Sequence, residues 1–293
     1  MIQSFLKYLA YEKRCSQHTV TSYQCDLNQF QEFLTGNFEG LPLQQVSYHH
    51  IRAWIIDLME KGLNPRSVNR KTVSLRSFYK YLLRNKAIGA DPTTRIKVLK
   101  TARKLPDFVQ EEDMHRLLDN FTFEDDFAGW RDRLILELFY GTGIRLSELM
   151  GLKESDIDRF HGQIKVLGKR NKERIIPFSK NLDNILSGYL DKKNSVFDHN
   201  SDDYLIVTNK RGRGYPMMIY RVVKKYLGIF TTVEKKSPHV LRHTFATHLL
   251  NKGADLNAVK DLLGHTSLAA TQVYTHNSLD KLKRAFDQAH PKA

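Results

Sequence analysis

Cysteine is scarce in this chain: Cys15 and Cys25 are the only two, ten positions apart in one helical stretch. That excludes a disulfide framework and a four-cysteine zinc site, and a reducing cytoplasm is the expected setting. Long apolar runs are missing too. Nothing approaches the ~20 residues of a bilayer-spanning helix, and the N-terminal MIQSFLKYLAYEKR is broken by Lys7, Glu12 and Lys13. Neither membrane insertion nor a secretion signal is therefore expected. The chain has no GxxxxGK[ST] loop and no GxGxxG, so nucleotide-driven chemistry has no phosphate cradle. HExxH is absent, and the acidic pairs Asp125-Asp126 and Asp202-Asp203 read as loop or helix-start residues rather than a two-metal site. No metal or other cofactor is expected.

Positive charge is what the chain has in excess. Lys and Arg number 46 against 32 Asp and Glu, a net +14 over 293 residues. Such an excess points to a polyanionic partner. It is unevenly spread: residues 1–105 hold 17 basic and 7 acidic residues, net +10, whereas residues 106–293 hold 29 and 25, net +4. The length suits two domains. Between Pro92 and Pro106 the stretch TTRIKVLKTARKLP is basic and has no steady apolar period, so residues 93–106 read as an extended linker joining a domain over 1–92 to one over 107–293.

The first domain reads as four helices. Tyr23, Leu27, Phe30, Phe33 and Leu34 recur at helical spacing with Asp26 on the opposite face, and breaks fall at Gly36 to Pro42, Gly62 to Pro65 and Gly89 to Pro92. In NPRSVNRKTVSLRSFYKYLLRNK, Arg66, Arg70, Lys71, Arg76, Lys80 and Arg84 line one helix with almost no acids nearby, which favours phosphate binding over a merely solvated face. The second domain is mixed. Glu111 to Leu118 and Trp130 to Tyr140 read as amphipathic helices. Period-two stretches at 156–160, 163–167 and 174–178, with turns at His161-Gly162 and Gly168 to Lys172, predict a small three-stranded antiparallel sheet. Helices resume at about Leu182, and 279–289 reads as a short amphipathic one. The fold class is mainly α with a small antiparallel β-sheet: an N-terminal four-helix domain plus an α+β domain.

In SPHVLRHTFATHLL, His239 and Arg242 stand at i and i+3 near a helix N-terminus, where free N–H groups already favour an anion. Without the HExxH order or a nearby cysteine, His239 and His243 do not read as a zinc face. GTGIRLSEL, GKRNKER, HVLRHTFATHLL and LLGHTSLAATQVYTH follow one another in this order, and together they strongly resemble the tyrosine recombinase (phage integrase-like) family, in particular its Xer-type bacterial members. SQHTVTSYQCDLNQFQEFL and VNRKTVSLRSFYKYL resemble that family's helical core-binding domain, so the resemblance covers essentially the whole chain.

The resemblance implies a site-specific DNA recombinase that cuts and rejoins strands through a 3′-phosphotyrosine, without ATP or metal. Residue by residue it makes Tyr274 the nucleophile, Arg145 the first catalytic arginine, Lys172 the lysine of the strand turn, His239 and Arg242 the HxxR pair and His265 the second histidine; Lys172 either protonates the leaving oxygen or contacts backbone phosphate. Lys169 and Arg170 share the turn of Lys172 as phosphate contacts. Which histidine takes the tyrosyl proton stays open. A phosphodiester under attack builds negative charge that preorganised cations must meet, and arginine can do so with two parallel hydrogen bonds. Tyrosine, with a reference pKa near 10, needs both a proton acceptor and a positive surrounding.

As partners the resemblance implies a double-stranded recombination site held by both domains, a homo- or hetero-tetramer on two such sites, and room for a DNA translocase. As a role it implies resolution of chromosome dimers at a dif-like site. A mobile-element integrase would share the chemistry, and an architectural DNA-binding protein would keep the fold without cleavage.

Overall fold

Several helices in this chain begin where a short polar side chain takes up a free N–H group. The computed structural model describes residues 1–102, 107–168, 173–197, 204–264 and 288–291. Its first unit, residues 1–104, contains helices α1 (Ile2–Lys7), α2 (Gln17–Asn37), α3 (Tyr48–Glu60) and α4 (Pro65–Arg84). Ser16 caps α2 by accepting the Thr19 N–H, and Asn64 caps α4 by accepting the Ser67 N–H at 2.9 Å, with Pro65 filling the first turn. The core of the unit is aromatic: Phe5 and Phe78 meet edge to face at 5.4 Å, and Phe30 lies 4.9 Å from Trp54.

Two details of this unit differ from the sequence reading. Asp26 does not face away from the apolar stripe of α2; it is buried between α2 and α4. The basic stretch after Pro92 is not a free connector along its whole length either. Thr93 and Ile96 are buried, the Asn69 side chain donates to the Leu99 carbonyl and accepts its N–H, both at 2.9 Å, and Arg76 donates to the Ile96 carbonyl. Ile96 and Leu99 thus tie the strap to α4 although its surroundings are polar.

The second unit, residues 105–293, opens with α5 (Glu111–His115), then α6 (Phe127–Thr142), capped by the Asp126 carboxylate on the Gly129 N–H at 2.7 Å. A single turn, α7 (Leu146–Leu149), leads to strands β1 (Ile157–Asp158), β2 (Gln163–Leu167) and β3 (Glu173–Pro177), antiparallel in the order β1-β2-β3. The register sets Ile164 opposite Ile176 and Val166 opposite Arg174, so these four share the buried face. β1 is shorter than the alternation over 156–160 suggests. Asp158 accepts the His161 N–H at 3.0 Å and contacts its ring nitrogen at 2.6 Å, which turns the chain and leaves Phe160 93% exposed at the tip.

Helices α8 (Lys180–Val196), α9 (Pro216–Phe230), α10 (Pro238–Asn251) and α11 (Leu256–Leu263) complete the unit. α6 is its axis, buried along most of its length with α8, α9 and α10 packed around it. The segment entering this unit is fastened at Val109, whose N–H is accepted by Thr244 Oγ1 at 2.9 Å and whose carbonyl meets His248 Nε2 at 3.0 Å. Near the C-terminus, Ala289 packs with Phe245 and Leu249, and the His290 ring meets the Tyr140 carbonyl at 3.1 Å. Most of the helix expected over 279–289 lies outside the described residues.

Candidate active site

The glycine after α6 decides where Arg145 goes. Gly143 ends the helix with φ +58, a left-handed conformation that costs side-chain-bearing residues energy, and a Cβ there would lie 2.5 Å from the Phe245 ring. Ile144 is then buried, and Arg145 sits at the head of α7. Glu148, one turn on, accepts the Arg145 backbone N–H at 2.8 Å and its Nη1 at 2.7 Å, which closes the N-terminus of α7 and fixes the guanidinium.

Arg242 arrives from α10, on the face that α10 turns towards the end of α6. It is buried; its Nη1 donates to the Gly143 carbonyl and its Nη2 to the Leu263 carbonyl at 2.5 Å. A third arginine, Arg174 of β3, completes the group. Both of its terminal nitrogens donate to Glu148, Nη2 at 2.8 Å, and its Nε donates to the Leu262 carbonyl at 3.1 Å. Arg145 Nη2 donates to the Gly264 carbonyl at 2.9 Å. The last carbonyls of α11, those of Leu262, Leu263 and Gly264, therefore each receive one arginine, where a helix leaves acceptors unsatisfied and carries its negative dipole end. Gly264 has φ +60, and a Cβ there would come within 3.4 Å of both Arg174 and Arg145.

The electrostatics of this group are cationic by construction. Among the described residues, three guanidiniums face one carboxylate, Glu148. Burial alone would push the Glu148 carboxyl up, but hydrogen bonds from Arg174 and Arg145 hold it below its ordinary value, so it is ionised at neutral pH. Burial, then the charges of Arg145 and Arg174, push the pKa of Arg242 down to about 9, and Arg242 is still charged at neutral pH. Each guanidinium has five N–H donors. Arg145 and Arg242 each use two nitrogens in the contacts above, so donors remain for a ligand, and Arg145 is the more exposed of the two.

Of the residues expected from the sequence, Arg145 and Arg242, 97 positions apart, are brought to one site through Gly143 and the end of α11. His239 stands exposed at the second position of α10, one turn before Arg242. Lys169, Arg170, Lys172, His265 and Tyr274 lie outside the described residues. Among the described residues no group of His, Cys, Asp or Glu has a metal-holding arrangement, and no helix is long and apolar enough to cross a membrane.

The basic face of α4 differs from its sequence reading in that most of its cations already have partners. Arg70 grips Asp26 with two hydrogen bonds of 2.5 and 2.7 Å, Lys71 reaches the same carboxylate at 3.0 Å and also donates to Gln29, and Ser74 donates to it at 2.7 Å. Lys71 is buried, so it is not a surface phosphate contact. Arg76 is bonded to the Ile96 carbonyl, and Arg84 lies over the Tyr8 ring at 4.5 Å. Arg66 and Lys80 are exposed and have no side-chain partner among the described residues.

Two residues of the site escaped sequence reasoning. Glu148 lies inside the GTGIRLSEL motif, three after Arg145, the spacing of a side chain that reaches back to a helix start. Arg174 was visible as an arginine on the same strand face as Ile176, a charge where the pattern calls for an apolar residue.

Residues 107–280 match the phage integrase family, and residues 2–86 match the phage integrase N-terminal SAM-like domain. The chain is similar to tyrosine recombinase XerC of Staphylococcus saprophyticus, at 42% identity over 99% of this chain and 97% of that one. Tyrosine recombinase XerC of Chlorobaculum parvum is 37% identical, with 100% and 94% covered. Among solved structures, the XerH site-specific recombinase bound to a palindromic difH substrate aligns with TM-score 0.73 at 22% identity, covering 97% of this chain and 84% of that one. The Tn1549 transposon integrase in complex with circular intermediate DNA aligns with TM-score 0.71 at 20% identity, over 95% and 97%. Arginines gathered from α7 and α10, a small sheet and a helical N-terminal unit are thus found in a chain matched along nearly its whole length, and this protein belongs to the phage integrase family, the tyrosine site-specific recombinases.

Proposed function

We propose that this recombinase cleaves DNA by attack of the Tyr274 hydroxyl on one phosphodiester, as an Xer-type enzyme acting at a dif-like site to resolve chromosome dimers. The observation that carries this reading is the convergence of Arg145 and Arg242, both with unused donors, on the end of α11, one residue before His265. The scissile phosphate lies between these two guanidiniums. Each can meet a non-bridging oxygen as charge builds in the transition state.

The Tyr274 oxygen forms the new bond to phosphorus as the bond to the 5′-oxygen breaks. The tyrosyl proton passes to His239 or His265, and Lys172 protonates the leaving 5′-oxygen. The product is a 3′-phosphotyrosine with a free 5′-hydroxyl. A 5′-hydroxyl from the partner duplex then reverses the attack, which conserves the bond and requires no external energy source. Arg66, Lys80 and the linker cations hold the duplex backbone, and Lys169 and Arg170 do so beside Lys172. Four protomers on two sites, identical or of two related kinds, exchange strands in pairs, with a DNA translocase as the activating partner.

The test uses a nicked duplex carrying the target site, in which release of a short strand traps the covalent product. The wild type yields an SDS-resistant adduct and Tyr274→Phe yields none. An adduct with Tyr274→Phe would falsify the nucleophile assignment, and wild-type adduct levels with Arg242→Gln would remove the clamp.

A further inference from the structure

Among the described residues Glu148 is the one acid inside a cluster of three arginines, and its two oxygens are divided between two of them. One oxygen takes Arg145 Nη1 together with a terminal nitrogen of Arg174, and the other takes the Arg145 backbone N–H together with Arg174 Nη2. Arg174 is only 4% exposed and commits all three of its nitrogens, two to Glu148 and Nε to the Leu262 carbonyl. Arg145, with its side chain 29% exposed and Nε uncommitted in these contacts, is the one placed to meet a ligand. We propose that Arg174 is a positioning residue for the cleavage reaction: it shares Glu148 with Arg145, so that Arg145 is aimed by the carboxylate without being neutralised by it.

The charge count supports this. With Arg174 present, the three guanidiniums and one carboxylate among the described residues leave two positive charges for a phosphodiester. Without it, the same carboxylate faces Arg145 alone at close range on this side of the cluster, and the surplus falls to one. Glu148 is buried and cannot trade its lost partner for water, so its charge is concentrated on Arg145. Arg174 also holds the Leu262 carbonyl, the neighbour of the Leu263 and Gly264 carbonyls that receive Arg242 and Arg145. It thereby ties the sheet to the same helix end that orients both clamping arginines.

The proposal rests on Arg145 as a phosphate ligand, and the experiment separates the two. Single-turnover cleavage of the nicked duplex is measured at saturating protein, alongside the Kd for the uncleaved duplex, for the full-length wild type, Arg174→Met, Arg174→Lys, Glu148→Gln/Arg174→Met and Arg145→Gln, each at a temperature where circular dichroism reports the native fold. Arg174→Met should cleave about 10- to 100-fold more slowly, by analogy with the loss of a hydrogen-bonding group that orients a metal ligand, with Kd changed less than about threefold. Removing the unshared charge should restore the rate, so Glu148→Gln/Arg174→Met should cleave faster than Arg174→Met, a rescue that a purely packing role does not produce. Arg174→Lys keeps the charge without the fork and should lie between; it carries the test if Arg174→Met does not fold. Wild-type cleavage by either Arg174 variant, a loss seen entirely in Kd, or a double variant no faster than Arg174→Met overturns the proposal. Wild-type cleavage by Arg145→Gln overturns it together with the reading on which it rests, whereas an inactive Arg145→Gln beside a fully active Arg174→Met overturns the positioning role alone.

Discussion

Replacing Asp26 with Asn should destabilise the first unit far more than an ordinary surface substitution. Asp26 is 1% exposed and holds Lys71, whose side chain is 8% exposed, at 3.0 Å. Asparagine keeps the shape but has one acceptor oxygen where Asp26 has two, so Lys71 and Ser74 can no longer both be served, and the Lys71 ammonium stays buried beside Gln29 with no counter-charge. Breaking a buried pair by removing one member costs about 3–5 kcal/mol, because an uncompensated charge stays inside. Arg70 adds little: its side chain is 52% exposed, and screened pairs contribute at most about 1 kcal/mol. With a urea slope of about 1–3 kcal/mol per molar, the midpoint should fall by roughly 2 M. Trp54, buried against Phe30 in this unit, reports the transition by fluorescence in a Trp130→Phe background. Adding Lys71→Met to Asp26→Asn should recover at least about 2 kcal/mol, since removing both charges removes the penalty. A loss below about 1 kcal/mol for Asp26→Asn, or no recovery in the double variant, would refute the burial argument.

Salt dependence of duplex binding should separate the free cations of α4 from the committed ones: Arg66→Ala and Lys80→Ala each lower the log–log slope by about 1, while Lys71→Met leaves it unchanged. An equal change for all three contradicts the partner assignments. His248 is buried, donates from Nε2 to the Val109 carbonyl and accepts the Tyr140 hydroxyl at 3.0 Å, so it is held neutral; burial depresses its pKa below the ordinary 6.5. The unfolded chain then binds the proton first. Stability of the second unit should therefore fall as pH drops below 6.5, by up to about 1.4 kcal/mol per pH unit, and His248→Gln should flatten that slope in urea titrations between pH 7 and 5. Gly143→Ala forces a left-handed backbone and drives a methyl group into the fully buried Phe245, for about 2–4 kcal/mol of lost stability. A melting temperature equal to wild type would show that the turn does not need glycine.

Helices and strands were legible because their patterns are local. The 3.6 spacing in α2 and the alternation of Ile164, Val166 and Ile176 each identify a buried face without knowledge of what covers it. The meeting of Arg145 with Arg242 was legible only through the order of the motifs. No periodicity relates positions 97 apart. Asp26 was misplaced for a physical reason: an acid on an amphipathic helix reads as polar and outward, and its burial depends on Arg70, Lys71 and Ser74 arriving from another helix. Arg174 and Glu148 belong to the same class, charges that are buried because each has the other. The attachment of the extended linker after Pro92 was not legible, since Ile96 and Leu99 are too few to show a period. Arg76 and Asn69 supply the rest of its attachment.

Fastening at Leu99 by Asn69 and at Val109 by Thr244 and His248 leaves only ten residue steps of chain between the two points. Fully extended, such a tether reaches at most about 35 Å. If, as proposed, the first unit holds the duplex, a short tether turns the second unit's encounter with it into an intramolecular event, at an effective concentration in the millimolar range. Backbone contacts made by one unit are then felt at the other as local abundance of substrate. Lengthening the chain between residues 100 and 108 should dilute that advantage while leaving every contact in either unit intact.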